Sequence, residues 1–139
     1  MPGEDGSRPH GLAAHFGTLE LPILEVLWAG GARDVADCVT RLSGDHAYTT
    51  VKTVMERLVK KGLLDRCKES RSYVYWPSQT RSEVEARLAA QQARQLVDGF
   101  GDLAVTHFVE TVQTDSDRLT QLRRLLAGIA AEGPEEDPR

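Results

Sequence analysis

Apolar residues in the first half of the chain recur at the spacing of amphipathic helices. Three segments show this pattern, residues 18–28, 33–42 and 49–61. The third has the most regular stripe, and Gly62 follows it at the position where helices commonly end in a left-handed glycine. The pattern therefore predicts three short helices in succession. The stripe of the third consists of Val51, Val54, Met55, Leu58 and Val59.

After the third helix the pattern changes to two short segments, residues 63–67 and 72–76, and the second is rich in strand-favouring residues. The polar stretch Lys68-Glu69-Ser70-Arg71 between them predicts the tip of a hairpin. Because a strand packed on helices explains alternating aromatic residues, we expect Tyr73 and Tyr75 to lie partly in the core. Three helices followed by a two-stranded hairpin is the element order of a winged helix-turn-helix domain.

The helical pattern returns in the C-terminal part, over residues 81–98, 102–112 and 116–130. The last two helices form a segment too short to bury its apolar side chains alone, so we expect it to pair with a second copy of the chain. The alternative is that these helices fold back onto the N-terminal domain. The side chains expected at the dimer interface are Leu103, Phe108, Val109, Val112, Leu119, Leu122 and Leu126.

The predicted fold class is mainly α with a small β-hairpin, a winged helix-turn-helix domain followed by C-terminal dimerisation helices. The first tail has no apolar segment behind a basic start, so we do not expect a signal peptide. The chain has no run of about 18 apolar residues, so we expect no membrane insertion. The predicted parts are a flexible tail at 1–15, the winged-helix DNA-binding domain at 16–79, the helical dimerisation domain at 80–131 and a flexible tail at 132–139.

Charge is distributed unevenly along the chain, although the formal net charge is −4. Residues 48–71 contain seven basic and three acidic side chains, whereas residues 81–139 contain seven basic and eleven acidic ones. The basic segment predicts contact with a polyanion, and the acidic C-terminal part predicts contact with protein.

The polar face of the third predicted helix carries short hydroxyl side chains near its start and cations further along. This arrangement suits a helix that enters the major groove of DNA by its N-terminal end, because threonines contact base edges or phosphates and a helix N-terminus favours an anion. The alternative is an amphipathic helix whose polar face is only solvated. Tyr48, at the helix start, either contacts a phosphate or packs against the helix. The residues expected at DNA are Tyr48, Thr49, Thr50, Lys52, Thr53, Arg57 and Lys60.

The hairpin tip supplies a second set of cations, Lys68 and Arg71. In a winged helix these side chains would reach phosphates or a neighbouring minor groove. A plain surface turn is the alternative explanation of the same residues.

Residues typical of catalysis or metal binding do not form a recognisable motif. The four histidines are scattered, no His/Cys cluster has zinc spacing, and no glycine-rich phosphate loop or nucleophile motif occurs. Cys38 and Cys67 are expected to be buried free thiols, as suits a reduced cytosolic setting, and a single disulfide between them is the alternative. The sequence therefore predicts a cytoplasmic protein that is not an enzyme and uses no metal or cofactor.

Four segments carry a resemblance to a known family: LELPILEVLWAGG, AYTTVKTVMERLVKKGLL, KESRSYVYWP and DLAVTHFVETV. Over residues 16–129 the chain resembles the penicillinase repressor family, the BlaI/MecI group of winged-helix regulators. The resemblance implies a dimeric repressor that binds an inverted repeat in a promoter and dimerises through its C-terminal helices. The positions that match the family's DNA-contacting helix are Thr49, Thr50, Lys52, Thr53 and Arg57, and Arg71 lies near the matching wing contact.

In the best-known members of this family a membrane receptor senses a β-lactam, and cleavage of an Asn-Phe bond in the repressor then lowers dimer affinity. The aligned pair here is His107-Phe108, which is therefore the candidate cleavage bond, with a membrane receptor protease as a candidate partner. Ser70 stands where the wing tip usually has glycine, and Gly31 or Ala32 stands where the second helix often begins with Thr or Ser. The C-terminal cysteines of the copper-responsive branch are absent, so copper sensing is not expected.

The function that follows is a dimeric transcriptional repressor that binds a palindromic operator through the third helix and the wing. Derepression would come from a weakened dimer or DNA contact, in response to β-lactam or cell-wall stress. Two alternatives stay open at this point. One is a winged-helix protein-interaction module that does not bind DNA, and the other is a DNA-binding regulator controlled by a ligand or by thiol chemistry at Cys38 or Cys67.

Overall fold

The computed structural model describes residues 11–132, which form seven α-helices and one two-stranded antiparallel sheet. The chain divides into two units, one ending at Gln91 and the other beginning at Gln92. Within the described range, no helix combines the length and hydropathy that a bilayer crossing requires. The elements in chain order are α1 (Gly11–His15), α2 (Glu20–Gly30), α3 (Val35–Arg41), α4 (Tyr48–Lys60), β1 (Leu64–Glu69), β2 (Ser72–Pro77), α5 (Arg81–Phe100), α6 (Asp102–Gln113) and α7 (Ser116–Glu132).

The core of the first unit is built mainly by α2, α3, α4 and the hairpin. The apolar stripe predicted for the third helix lies on α4 and is buried, apart from the partly buried Val59. Leu27 of α2 and Met55 and Leu58 of α4 are at most 1% exposed. Burying a side chain of this size stabilises the fold by about 1.5–3 kcal/mol, so this unit has a hydrophobic core of its own.

The junction between α2 and α3 differs from the prediction for the start of the second helix. Asp34, rather than Gly31 or Ala32, caps α3, because its carboxylate accepts the N–H of Asp37 at 2.8 Å. Gly31 instead ends α2, where it has a φ of 86° and its N–H donates to the carbonyl of Leu27 at 3.1 Å. The position fits glycine because other residues adopt this φ only with strain.

The hairpin has a continuous register from the Leu64–Pro77 pair to the Glu69–Ser72 pair. Arg33 extends it by a short bridge, in which its N–H and carbonyl bond to Tyr75 at 2.9 and 2.8 Å. Tyr75 is fully buried and Tyr73 is partly buried, which confirms the prediction that these aromatic residues contribute to the core. At the tip, Ser70 has a φ of 57°, so it adopts the left-handed conformation that glycine takes without strain.

The ends of the first unit differ from the predicted boundaries. Residues 11–15, assigned to the N-terminal tail, form helix α1, and Leu12 is buried in the core. Residues 1–10 and 133–139 of the predicted tails lie outside the described residues. At the other end, Val84 of α5 is 1% exposed and belongs to the same core, so the unit extends past the predicted limit at residue 79. A capping box between Thr80 and Glu83 starts α5.

The second unit consists of the end of α5 together with α6 and α7, and α6 packs against α7. Helices α6 and α7 begin at the predicted residues and extend by one or two residues further than predicted. The only hydrophobic side chains buried among the described residues of this unit are Ala104 and Val112. This unit therefore has almost no core within a single chain.

Candidate nucleic-acid interface

Helix α4 separates its apolar residues from a solvent-facing row of hydroxyl and charged side chains. Tyr48, which begins the helix, is 49% exposed, and Thr50 is also exposed. The five other predicted DNA contacts of this helix line one surface groove together with Glu56. Those five are Thr49, Lys52, Thr53, Arg57 and Lys60.

The N-terminal end of α4 is open to an anion. Ala47 is the capping residue and makes no side-chain hydrogen bond to the first turn. The first backbone N–H groups of a helix lack partners inside the helix and carry a partial positive charge. The threonine hydroxyls at positions 49, 50 and 53 lie at this end of the helix.

The hairpin, whose first strand packs against α4, carries two more cations. Lys68 lies on β1 and Arg71 at the tip, and both are exposed. Among residues 11–132, none of Lys52, Lys60, Lys68 and Arg71 takes part in an ion pair. Their charges are therefore not neutralised by the described part of the chain.

Arg57 differs from these cations because it has an acidic neighbour, Glu20. The Glu20 side chain is 5% exposed, and its Oε2 lies 2.9 Å from Nζ of Lys61 and 3.8 Å from Nη1 of Arg57. Its other carboxylate oxygen accepts the N–H of Gly17 at 2.8 Å. Burial raises the pKa of this carboxyl, but the Gly17 and Lys61 bonds and the two cations outweigh burial, so its pKa lies below the ordinary value.

This ion pair was not predicted from the sequence, although a signal for it was present. Glu20 precedes Ile23, Leu24 and Leu27 at helical spacing, so it occupies a position of the buried stripe. A carboxylate at such a position requires a partner. The pair joins the start of α2 to the end of α4, and it directs part of the Arg57 charge away from solvent.

A second unforeseen contact joins α4 to the hairpin through Glu56. The Glu56 carboxylate accepts hydrogen bonds from the buried Tyr75 hydroxyl and, at 3.0 Å, from Nη1 of Arg66. The Arg66 guanidinium also lies 4.0 Å above the ring of Tyr73. Burial and the bond to Glu56 raise the pKa of Tyr75. A buried phenol hydroxyl requires a partner, but its identity depends on packing between distant segments.

The two cysteines differ in environment. Cys38 is fully buried, and burial raises the pKa of its thiol to about 11. Cys67 on β1 is exposed, so the expectation that it is buried was wrong. The reason is that only Leu64 among the β1 residues is buried, since the strand extends beyond the core. Both thiols are free.

The second unit carries an apolar groove of about 530 Å³ between α5 and α6 residues. Leu103 and Phe108, both predicted at a dimer interface, line it and are 59% and 54% exposed. Of the other predicted interface residues, Leu126 and Val109 are exposed, while Leu119 and Leu122 are partly buried. Val112 is the exception, because it is buried within the single chain rather than available to a partner.

The candidate cleavage bond, His107-Phe108, lies inside α6. The His107 carbonyl accepts a hydrogen bond from the hydroxyl of Thr111 at 2.8 Å. The imidazole Nδ1 of His107 lies 3.2 Å from the Glu110 carboxylate. Proteolysis within a hydrogen-bonded element requires local opening of that element. The bond therefore becomes accessible to a protease only when α6 unwinds.

Comparison with known proteins gives a family match over most of the chain. The family model described as penicillinase repressor matches residues 16–128. The transcriptional regulator BlaI of Mycobacterium tuberculosis is 36% identical over 121 residues, which cover 84% of this chain and 86% of that protein. The penicillinase repressor of Bacillus licheniformis is 26% identical over 109 residues, 77% of this chain and 85% of that protein. A solved MarR family transcription regulator aligns with a TM-score of 0.47 and 18% identity, over 88% of this chain and 80% of that one.

Proposed function

The chain belongs to the penicillinase repressor family, and from this premise we propose that it is a homodimeric repressor that binds an inverted-repeat operator in duplex DNA. Its curated relatives are transcriptional regulators and repressors, so its class is that of a transcriptional repressor and not an enzyme. The observation that carries the proposal is the exposed face of α4, with hydroxyls at its N-terminal end and unneutralised cations on it and on the wing.

Within the proposal, α4 enters the major groove and reads the operator. Thr49, Thr50 and Thr53 lie near the end that would face base edges or phosphates, and Lys52 would contact a guanine or a phosphate. Tyr48 and Lys60 would hold the helix to the backbone. Arg57 makes a weaker contact than its neighbours, because the buried Glu20 carboxylate shares its charge.

The wing contributes phosphate contacts on the flank of the half-site. Arg71 at the tip and Lys68 on β1 are exposed, and neither is neutralised within residues 11–132. Sequence-independent phosphate contacts of this kind position the domain on DNA and make binding dependent on salt.

Dimerisation through the second unit would present two copies of α4 to the two halves of a palindrome. The exposed apolar side chains of α6 and α7 support the proposal that a second copy of the chain covers them, because proteins seldom leave a large apolar patch exposed to water. Two half-sites bound by one dimer hold far more tightly than either half alone. Derepression therefore follows from any event that weakens the dimer.

Cleavage at His107-Phe108 is one such event that we include in the proposal. Phe108 lines the apolar groove, so unwinding or cutting α6 there would remove part of the proposed dimer surface. The signal would be β-lactam or cell-wall stress, relayed by a membrane receptor protease. The proposal requires that α6 opens before the bond is cut.

The experiment is enrichment of bound sequences from a randomised duplex pool, followed by anisotropy titration of the enriched duplex. We expect an inverted repeat bound by two protomers. Lys52→Ala and Arg71→Ala should each weaken binding and flatten its salt dependence by about 0.9 in the log–log slope per lost phosphate contact. Arg87→Ala is the matched control, since Arg87 is an exposed cation on α5.

Two results would contradict the proposal. Wild-type affinity in both the Lys52 and the Arg71 variants would remove the helix and wing assignment. Failure to enrich any sequence, even at low salt, would favour a winged-helix protein-interaction module that does not bind DNA.

A further inference from the structure

Glu56 is an acidic side chain on the face of α4 that otherwise carries hydroxyls and cations. It lines the same groove as Lys52, Arg57 and Lys60. A carboxylate in this position would repel a phosphate backbone, and it reduces the net positive charge of the face. Its presence on the proposed DNA surface therefore needs a physical reason.

The carboxylate is occupied by two groups of the hairpin. Arg66 of β1 and Tyr75 of β2 are direct cross-strand neighbours, and both donate to Oε2 of Glu56. Tyr75 is fully buried, while the side chains of Arg66 and Glu56 are 32% and 30% exposed. Tyr75 therefore anchors this contact in the core, whereas Arg66 reaches the surface of the hairpin.

Resting on the proposed repressor function, we propose that Glu56 sets the DNA specificity of the protein. It does so in two ways: it holds Arg66 away from phosphates, and it fixes the hairpin against α4 through Tyr75. Holding Arg66 away from phosphates lowers the affinity for arbitrary DNA. Fixing the hairpin against α4 keeps the cations of the hairpin at a constant distance from the helix that contacts the bases.

Withholding an arginine improves discrimination because phosphate contacts act on every sequence alike. An operator competes with a vast excess of arbitrary sites, so a lower affinity for arbitrary DNA raises occupancy of the operator. Arg66 is well placed for such suppression, since it lies on β1 between α4 and the wing tip and is held by both Glu56 and the Tyr73 ring.

The test is Glu56→Gln in the full chain, measured on the enriched duplex and on a scrambled duplex at several salt concentrations. Glutamine keeps an acceptor for Tyr75 but releases the charge of Arg66. We expect affinity for the scrambled duplex to rise about tenfold and its salt slope to steepen by about 0.9, as for one added phosphate contact. Affinity for the enriched duplex should change much less, so the discrimination ratio falls.

Two further variants distinguish release of the Arg66 charge from a general change in the electrostatic potential of the surface. Asp65→Asn is the matched control, because it removes one negative charge from an exposed position of β1 away from the hairpin tip, and Asp65 forms no ion pair among residues 11–132. It should leave the salt slope unchanged. In Glu56→Gln combined with Arg66→Gln, the slope on scrambled DNA should return to the wild-type value.

The positioning role is tested by Tyr75→Phe, which keeps the Glu56–Arg66 pair and removes the anchored hydroxyl. We expect affinity for the enriched duplex to fall several-fold with no gain on scrambled DNA. Equal losses on both duplexes in Glu56→Gln, with an unchanged salt slope, would reduce Glu56 to a structural residue and overturn the inference. If the wild-type chain enriches no sequence, the repressor function itself fails, which is a distinct result.

Discussion

The two units of the chain differ in where they put their apolar side chains. The first buries leucine, isoleucine, valine and tyrosine from several helices and a hairpin in one core. The second contains ten of the eleven exposed large hydrophobic side chains found in the described residues. The first unit is therefore stabilised within one chain, whereas the second leaves an apolar surface that we propose is covered by a second copy.

The difference follows from the number of elements available to each unit. Three helices and a hairpin enclose a core from several sides, so residues such as Leu24 and Met55 reach full burial. In the second unit α6 packs against α7, so each of these helices buries only the one face that contacts the other. Phe100, Leu103 and Phe108 therefore stay exposed in the single chain.

The largest expected effect comes from opening a cavity in the first core. Leu58→Ala removes a fully buried side chain, and we expect a loss of about 2–5 kcal/mol in the free energy of unfolding. Urea denaturation at two protein concentrations measures it, and the loss should be the same at both. Leu103→Ala in the second unit is the matched control, because its cost should shrink on dilution below the dimer dissociation constant. If the loss of stability depended on protein concentration in the same way for both variants, the two units would not differ as described.

The next largest effect concerns association through the second unit. Phe108→Asp places a charge on the exposed apolar face, and we expect the dimer dissociation constant to rise at least about 100-fold because the carboxylate would be buried without a partner. Sedimentation measures the change. Gln121→Asp adds the same charge at an exposed polar position of α7 and should sediment like the wild type. The face is not an interface if Phe108→Asp also leaves association unchanged.

A smaller effect concerns the ion pair that joins α2 to α4 in the first unit. The pKa of Glu20 lies below its ordinary value, so the stability that its ionised carboxylate contributes is fully present above the unfolded-state pKa and is lost as pH falls through the folded-state pKa. We expect Glu20→Gln to lose about 1–2 kcal/mol near pH 7 and to approach the wild type in acid. Urea denaturation across pH checks this, with Glu85→Gln as an exposed control. A loss in Glu20→Gln that is independent of pH would contradict it.

The smallest effect is a difference in thiol reactivity within the first unit. Cys67 is exposed, while burial raises the pKa of Cys38 to about 11. We expect iodoacetamide to modify Cys67 in the folded protein and Cys38 only after unfolding. The enriched duplex should slow the reaction at Cys67 if the wing lies against DNA. Equal reaction rates at both thiols in the folded protein would contradict the burial difference.

Periodicity in the sequence was sufficient to predict the main elements. The stripe from Val51 to Leu58 placed α4 within one residue of its observed ends, because an amphipathic helix is specified by local spacing. The hairpin and the starts of α6 and α7 were also correctly predicted. The exposed apolar face could be expected from the number of leucines in two short helices, which are too few elements to bury them within one chain.

The features that escaped prediction depend on contacts between distant segments. Glu20 meets Lys61 across 41 residues, and Glu56 meets Tyr75 across 19. Local spacing carries no information about which cation or hydroxyl reaches a carboxylate. Helix α1 escaped because its five residues offer one buried side chain, Leu12, and no repeat.

The most direct test of this account is the mass of the wild-type protein in solution by sedimentation velocity over a range of concentrations. We expect a species of twice the 15.3 kDa chain mass that dissociates on dilution. We expect Phe108→Asp to stay monomeric and folded over the same range. A folded wild-type chain that remains a monomer at about 100 μM, where even a weak dimer should form, would contradict the claim that a second copy covers the second unit.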